Sequence, residues 1–391
     1  MTPSCAPQKK AEDHSTIEIG FFGDLTGPTF NFGLSAKNGV LMAADEINQA
    51  GGINGHKIDI VIEDDKGSPE EAAQVTGKLI DRYKVMAIIG AGASGNSLAA
   101  APKAQSAHVP LIAPSSTNPA VTQVGDYIFR ACFMDAFQGE VMAKFAANTL
   151  KARKAAIMLD FNSPYSRGLT EFFEFSFAKL EGQIVLKQSY RQGDADYRGQ
   201  LSAIKAANPD VIYIPGYYGD VAIIAKQARQ IGLTVPLLGT DGWDAPELWE
   251  LGGDALNGAY ISNHYSADDP SETIQRFAHA YRQRYGNLTP DAHAALAYDA
   301  LRFLAEAIQR AEPNNGTKLR DALAETKNFV GVTGIISMDR NRNAVKPAVI
   351  LKLEDARYIY QETIQPEVES EPSSPRATPS PSKSPPRRTG N

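Results

Sequence analysis

Two hydrophobic periods alternate along most of the chain. Residues 17–23 (IEIGFFG) form a short continuous apolar run, and residues 35–49 then place Ala36, Val40, Ala43, Ala44 and Ile47 on one helical stripe. The run predicts a strand and the stripe a helix. The pair recurs, with strands expected at 57–64, 85–89 and 109–113 and helices at 69–83 and 98–107. A second series begins near Phe137, with helices at 138–150, 166–180, 197–207 and 221–231 alternating with strands at 154–159, 184–189, 210–215 and 235–239. Strands joined by helices of this length need crossover connections, so each series predicts an α/β unit with a parallel sheet covered on both faces. After Tyr265 the pattern turns helical, at 271–285, 291–311 and 316–326, and 345–352 with 357–361 reads as an antiparallel ribbon. If those late helices return to the first unit, several segments cross between two lobes and make a hinge. A ligand cleft then falls where the carboxyl ends of the strands face each other.

Composition narrows the function. The 391 residues are 43% hydrophobic, enough for two or three real cores, and 39 Lys+Arg against 45 Asp+Glu leave a formal charge of -6. A mildly acidic chain lacks the counterion-release drive of nucleic-acid binders, so DNA and RNA are not expected partners. No apolar stretch is long enough to cross a bilayer, and the start is not that of a secretory signal. A soluble monomer is expected. The polar leader, residues 1–15, carries Cys5, which reads either as a lipid-anchored cysteine left by a processed leader or as a plain unpaired thiol. Residues 366–391, rich in proline and serine, predict a disordered tail.

Four clusters carry candidate chemistry. Residues 90–95 (GAGASG) match a dinucleotide fingerprint between a strand and a helix, but the strand that should end in a ribose-binding acid ends in Pro114, Ser115, Ser116 and Thr117. A backbone that brings amides and Ser94 close to some anion is the better reading. Ser115, Ser116 and Thr117 precede Pro119 and read as helix caps or as an oxyanion cradle. Asp241, in GTDGW at the end of the last strand of the second series, reads as a turn aspartate or as a carboxylate projected into the cleft, where a cationic ligand group would satisfy it. The aromatics Phe30, Phe32, Tyr165, Tyr217, Tyr218 and Trp243 are expected at loop tips after strands, where they would line a ligand. Catalytic patterns are thin: the six histidines lack the H-E-x-x-H spacing, no G-x-S-x-G elbow occurs, and Cys132 sits in an apolar run as a buried inert thiol. Neither a cofactor nor a metal is called for, and no enzyme activity is expected.

Several segments, in order, resemble a known family: DLTGPTFNFG (24–33), AADEINQAGGINGHKIDIVIEDD (43–65), IIGAGASGNS (88–97), VPLIAPSSTNPAVT (109–122), PGYYGDVAIIAKQARQIG (215–232) and GTDGWDAPEL (239–248). They are similar to the branched-chain amino-acid binding proteins of bacterial ABC importers, over nearly all of residues 16–365. The resemblance implies a two-lobed type I periplasmic binding fold, each lobe a parallel sheet flanked by helices, with a three-strand hinge. Residues 16–133 and 265–338 would form the first lobe, and 134–264 with 339–365 the second. It also implies a periplasmic or extracellular location, an amino acid held between the lobes, and delivery to a membrane permease. Ser94, Ser115 and Thr117 match positions that hold the ligand carboxylate, Asp241 the acid that receives the α-ammonium, and Tyr165 and Tyr217 aromatics that close over the ligand, with Tyr218 an alternative to Tyr217. Phe32 stands where leucine binders often carry tyrosine, Asp241 is shorter than the usual glutamate, and Trp243 adds bulk, so Phe32 and Trp243 are expected to set the choice of side chain. A sensor ectodomain of the same fold and an NAD-linked enzyme are the rival readings.

Overall fold

The computed structural model describes residues 16–90, 92–311 and 315–366. The leader with Cys5 and the tail beyond Pro366 lie outside the described residues. In the first lobe β1 (Thr16–Gly23), β2 (Lys57–Asp64), β3 (Ala87–Ile89), β4 (Leu111–Ala113) and β5 (Ile128–Arg130) form a parallel sheet, with α1 (Phe30–Gln49), α2 (Pro69–Asp81), α3 (Ser94–Ser106) and α4 (Ala120–Gln123) between them. The second lobe follows with α5 (Asp135–Lys144), continued by a π-turn (Phe145–Thr149), β6 (Lys154–Asp160), α6 (Pro164–Lys179), β7 (Gln183–Tyr190), α7 (Arg198–Ala206), β8 (Val211–Tyr213), α8 (Tyr218–Gln230), β9 (Leu237–Gly239), α9 (Pro246–Gly252) and β10 (Ala259–Asn263). Three further helices, α10 (Glu272–Arg284), α11 (Ala292–Arg310) and α12 (Gly316–Ala324), precede β11 (Phe329–Gly331), β12 (Gly334–Met338), β13 (Ala344–Val345), β14 (Ala348–Glu354) and β15 (Arg357–Ile364).

The first sheet runs β2-β1-β3-β4-β5 and the second β15-β14-β10-β9-β8-β6-β7, with only β14 and β15 antiparallel. Period-two alternation explains why both sheets need helices on both faces. Ile89, Ile112 and Phe129 point to one core, shared with α1 and α11, while their neighbours Ile88, Leu111 and Ile128 point to the other, under α2 and α3. In the second lobe Ala156, Met158, Ile212 and Leu237 divide in the same way from Ala155, Ile157, Val211 and Leu238.

Helix starts follow the local sequence. Ser68, Ser163, Ser271 and Asp291 each accept a backbone N–H of the helix they precede, and Pro69 and Pro164 occupy a first-turn position where no N–H is needed. The largely buried α11 returns to the first lobe and lies against α1. Gly39 permits the close approach, since a Cβ there would stand 2.1 Å from the Ala294 carbonyl oxygen.

The chain passes between lobes after β5, after β10 and after β13. The last crossing corrects an expectation: residues 339–345, expected in the second lobe, belong with the first. There β13 pairs with β12, Ala344 joins the first-lobe core, and Asn343 Oδ1 accepts Arg130 Nε at 2.8 Å and Thr122 Oγ1 at 2.8 Å. The guanidinium of Arg130 is fully buried, so its hydrogen-bond partners must be held in place. Residues 346–347 then make the crossing. The short strands β5, β10 and β11 to β13 were not expected from the sequence.

Candidate functional site

Strand ends and helix starts build the first-lobe side of the site. Ser94 is the first residue of α3 and is buried, and its hydroxyl accepts the Asn118 backbone N–H at 3.3 Å. Ser115 follows β4. Its hydroxyl reaches the Gly92 carbonyl at 3.4 Å and pairs with His293 Nδ1 at 3.1 Å. The Thr117 hydroxyl is buried beside the Asp135 carboxyl, with no well-formed hydrogen bond. Burial pushes the Asp135 carboxyl up to about 8, so it is largely protonated at neutral pH.

On the second-lobe side Asp241 begins a short 3-10 turn after β9 and is 3% exposed. Its Oδ1 accepts Tyr165 Oη at 2.7 Å and Gln138 Nε2 at 2.8 Å, and its Oδ2 lies 3.3 Å from His264 Nε2. Gly242 makes this possible, because a Cβ there would meet the Gly216 carbonyl at 2.7 Å and the Tyr165 hydroxyl at 3.0 Å. Burial pushes the Asp241 carboxyl up, but the His264, Tyr165 and Gln138 donors outweigh it and hold the group below its ordinary value. Burial pushes the His264 imidazole down to about 4, so at neutral pH it serves as a neutral N–H donor. Asp241 is therefore a buried carboxylate with three neutral donors and no cationic partner among the described residues.

Aromatic rings join the two sides. Tyr165 and Tyr217 stack with centroids 5.1 Å apart, and the Ser94 backbone N–H points at the Tyr217 hydroxyl. Phe32 stacks on His293 at 3.9 Å and meets Tyr217 edge-on at 5.8 Å. A direct bond also spans the lobes, from Asn118 Nδ2 to the Pro164 carbonyl at 2.8 Å. Ser94, Ser115, Tyr165, Tyr217, Phe32 and Asp241 thus form one continuous set of contacts, and Thr117 reaches it through Asp135, whose carboxyl feels the charge of Asp241.

Two expectations need correction. Trp243 does not join this set. Its ring lies in the second-lobe core against Gly239, and its Nε1 donates to the Ile214 carbonyl at 3.0 Å. A turn that aims Asp241 one way turns the residue two positions later into the core. Nor are the aromatics at loop tips: Phe30, Phe32, Tyr165 and Tyr218 lie in the first turns of α1, α6 and α8, and only Tyr217 stands just outside, as the residue before α8. Tyr218 meets Phe32 edge-on at 5.0 Å within the second-lobe core, while Tyr217 also reaches Tyr165 and Ser94 and so better fits the position for which both were considered.

Sequence reasoning missed Gln138, His264, His293 and Asp135. His264 follows β10, a strand of five residues that gave no clear period, and His293 sits in the first turn of the largely buried α11, where a lone histidine reads as core. Burial pushes the His293 imidazole down to about 4, and its Nε2 has no partner.

Comparison with known proteins bears on the fold and the family. A family profile described as periplasmic binding protein matches residues 16–357. A protein of Pseudomonas aeruginosa named amino acid binding protein is 31% identical over 313 residues, which cover 78% of this chain and 82% of the relative. The crystal structure of the leucine binding protein LivK of Thermotoga maritima superposes with a TM-score of 0.86 at 38% identity, covering 90% of this chain and 99% of that one. LivJ of Streptococcus pneumoniae, solved in complex with isoleucine, gives 0.85 at 35% identity over 90% of this chain and all of LivJ. With two α/β lobes, three crossings and a match over most of its length, this chain belongs to the periplasmic binding protein family, in the type I fold of the branched-chain amino-acid binders.

Proposed function

We propose that the protein captures an amino acid between its lobes, outside the cytoplasm, and delivers it to the permease of an ABC importer. The observation that carries this reading is Asp241, a buried carboxylate held ionised by neutral donors without a cation. A buried unpaired charge is costly, and an α-ammonium is a cation of the right size to complete it. The opposite wall is neutral and rich in donors. Ser94, Ser115 and Thr117 with the first N–H groups of α3 suit a carboxylate, aided by the helix dipole. Tyr165 and Tyr217 close over the ligand, and Phe32 with His293 borders its side chain.

Closure follows from the division of labour. A zwitterion has both ends satisfied only when the lobes are together, so it favours that state by its differential affinity. Charge-assisted hydrogen bonds contribute about 1.5 to 3 kcal/mol each, and a few of them, less ordering costs, reach micromolar binding. Calorimetric titration with a panel of amino acids tests the reading. Asp241→Ala is expected to lose about 3 to 5 kcal/mol of affinity, as expected when one partner of a buried ion pair is removed. A variant that binds the same amino acid as tightly as the parent would overturn the assignment.

A further inference from the structure

A cavity of about 460 Å3 opens where the lobes meet beside the second crossing. Asp244, Trp249 and Tyr358 line it from the second lobe, Asp291 from the first, and Tyr265 from the crossing itself. Asp244 Oδ2 accepts Asn263 Nδ2 at 2.8 Å and the Ala292 backbone N–H at 2.9 Å, while its Oδ1 has no hydrogen bond. Asp291 caps α11 and accepts Ser35 Oγ at 2.5 Å. Neither carboxylate has a salt-bridge partner among the described residues. The Tyr265 hydroxyl is buried with no partner, and the charges acting on it are those of this same wall: Arg282, Asp244, Asp291 and Asp268.

Three carboxylates, of Asp244, Asp268 and Asp291, outnumber two guanidiniums, of Arg282 and Arg357, and with an idle hydroxyl and aromatic walls in a space of this size they describe a site for an organic cation. A bare metal ion fits less well, because the only described set of three acids at ligand spacing is Asp24, Asp64 and Asp65, elsewhere in the fold. Two of those three, Asp24 and Asp64, already accept backbone N–H groups of the β1–α1 turn. We propose that the cavity is a second ligand site, which takes a primary organic ammonium with its head at Asp244 and Asp291 and its carbon chain along Tyr358 and Trp249. Burial raises both carboxyls, with the charge of Asp241 adding to it at Asp244 and that of Asp244 adding to it at Asp291, whose carboxyl is pushed up to about 7. The pair also faces Asp241, Asp268, Arg282 and Arg357, and the phenols of Tyr265, Tyr281 and Tyr358. A cation binding there displaces the proton the pair holds near neutrality, so its affinity rises from about pH 6 to pH 8.

Titration calorimetry of the full chain in phosphate buffer, with n-butylammonium and putrescine as probes and n-butanol as the neutral control, tests the site. Both amines are expected to bind and butanol is not. Asp291→Asn, which keeps a helix cap, should weaken the amines at least about tenfold, the worth of one charge-assisted bond. Tyr265→Phe, which removes only the idle hydroxyl, should weaken them about threefold and guards against a folding defect in the first variant. Asp241→Ala should lose amino-acid binding and retain amine binding, which separates this site from the cleft. Absence of amine binding, equal binding of butanol, or loss in Asp241→Ala with retention in Asp291→Asn would overturn the proposal.

Discussion

The two walls of the cleft are built on different plans. On the first-lobe wall Ser94 and Ser115 take partners from neighbouring strand-to-helix turns, Asn118 and Gly92, 24 and 23 residues away in sequence, and Ser115 takes one more, His293, from α11 of the same lobe, 178 residues away. On the second, the donors that hold Asp241 come from α6, α5 and the crossing after β10, as far as 103 residues away. A neutral hydroxyl loses little by burial and can be held by one or two bonds within its own lobe, whereas a buried carboxylate needs several donors at once, more than one turn can present. The neutral wall can be assembled within one lobe. The charged wall depends on the packing of a whole lobe and on the hinge segment that carries His264.

The largest expected effect beyond Asp241 itself separates the walls from the core beneath them. Trp243→Ala should cost about 3 to 5 kcal/mol of folding stability, as for other fully buried tryptophans, and leave the ranking of amino-acid ligands unchanged. Denaturant unfolding with calorimetry reads both, and a changed ranking at parental stability would return Trp243 to the cleft. A smaller effect follows at His264. His264→Ala removes a donor to Asp241 and should weaken binding by about 1 to 3 kcal/mol. It should also move the acid limit of binding. Because the Asp241 carboxyl is held below its ordinary value, amino-acid affinity is present above that range and falls as the pH drops through the lowered value. Without His264 the loss should begin at higher pH. An affinity profile from pH 7 to 3 with an unmoved acid limb would show that His264 does not tune the acid.

What the sequence made legible tracks the same contrast. The alternation of apolar runs and stripes marked both sheets, and the chemistry of the neutral wall stood in two short stretches, around Ser94 and from Ser115 to Thr117. Asp241 was visible because it ends a strand. Its donors were not, since Gln138 and His264 acquire meaning only when the lobe closes around them, and β10, which delivers His264, is too short to show a period. Trp243 misled for a related reason: proximity in sequence to Asp241 says nothing of direction when a 3-10 turn intervenes. The end of the first lobe was misplaced because two residues of β13 and the bonds of Asn343 to Arg130, rather than any hydrophobic pattern, keep residues 339–345 there.

The smallest expected effect discriminates best between a ligand-facing hydroxyl and a structural one. Thr117 Oγ1 is buried without a well-formed bond, while Ser115 Oγ is engaged by Gly92 and His293. Replacing Thr117 by valine removes the hydroxyl and little volume, so the ligand-free protein should be as stable as the parent or slightly more so. Ligand affinity should nevertheless fall by about 0.5 to 1.5 kcal/mol, one neutral hydrogen bond. Ser115→Ala should instead lower stability and affinity together, because it removes bonds that exist before any ligand arrives. Paired measurement of melting temperature and dissociation constant decides the matter. If Thr117→Val loses stability and keeps its affinity, the hydroxyl serves Asp135 and not a ligand, and the neutral wall shrinks to Ser94, Ser115 and the helix start.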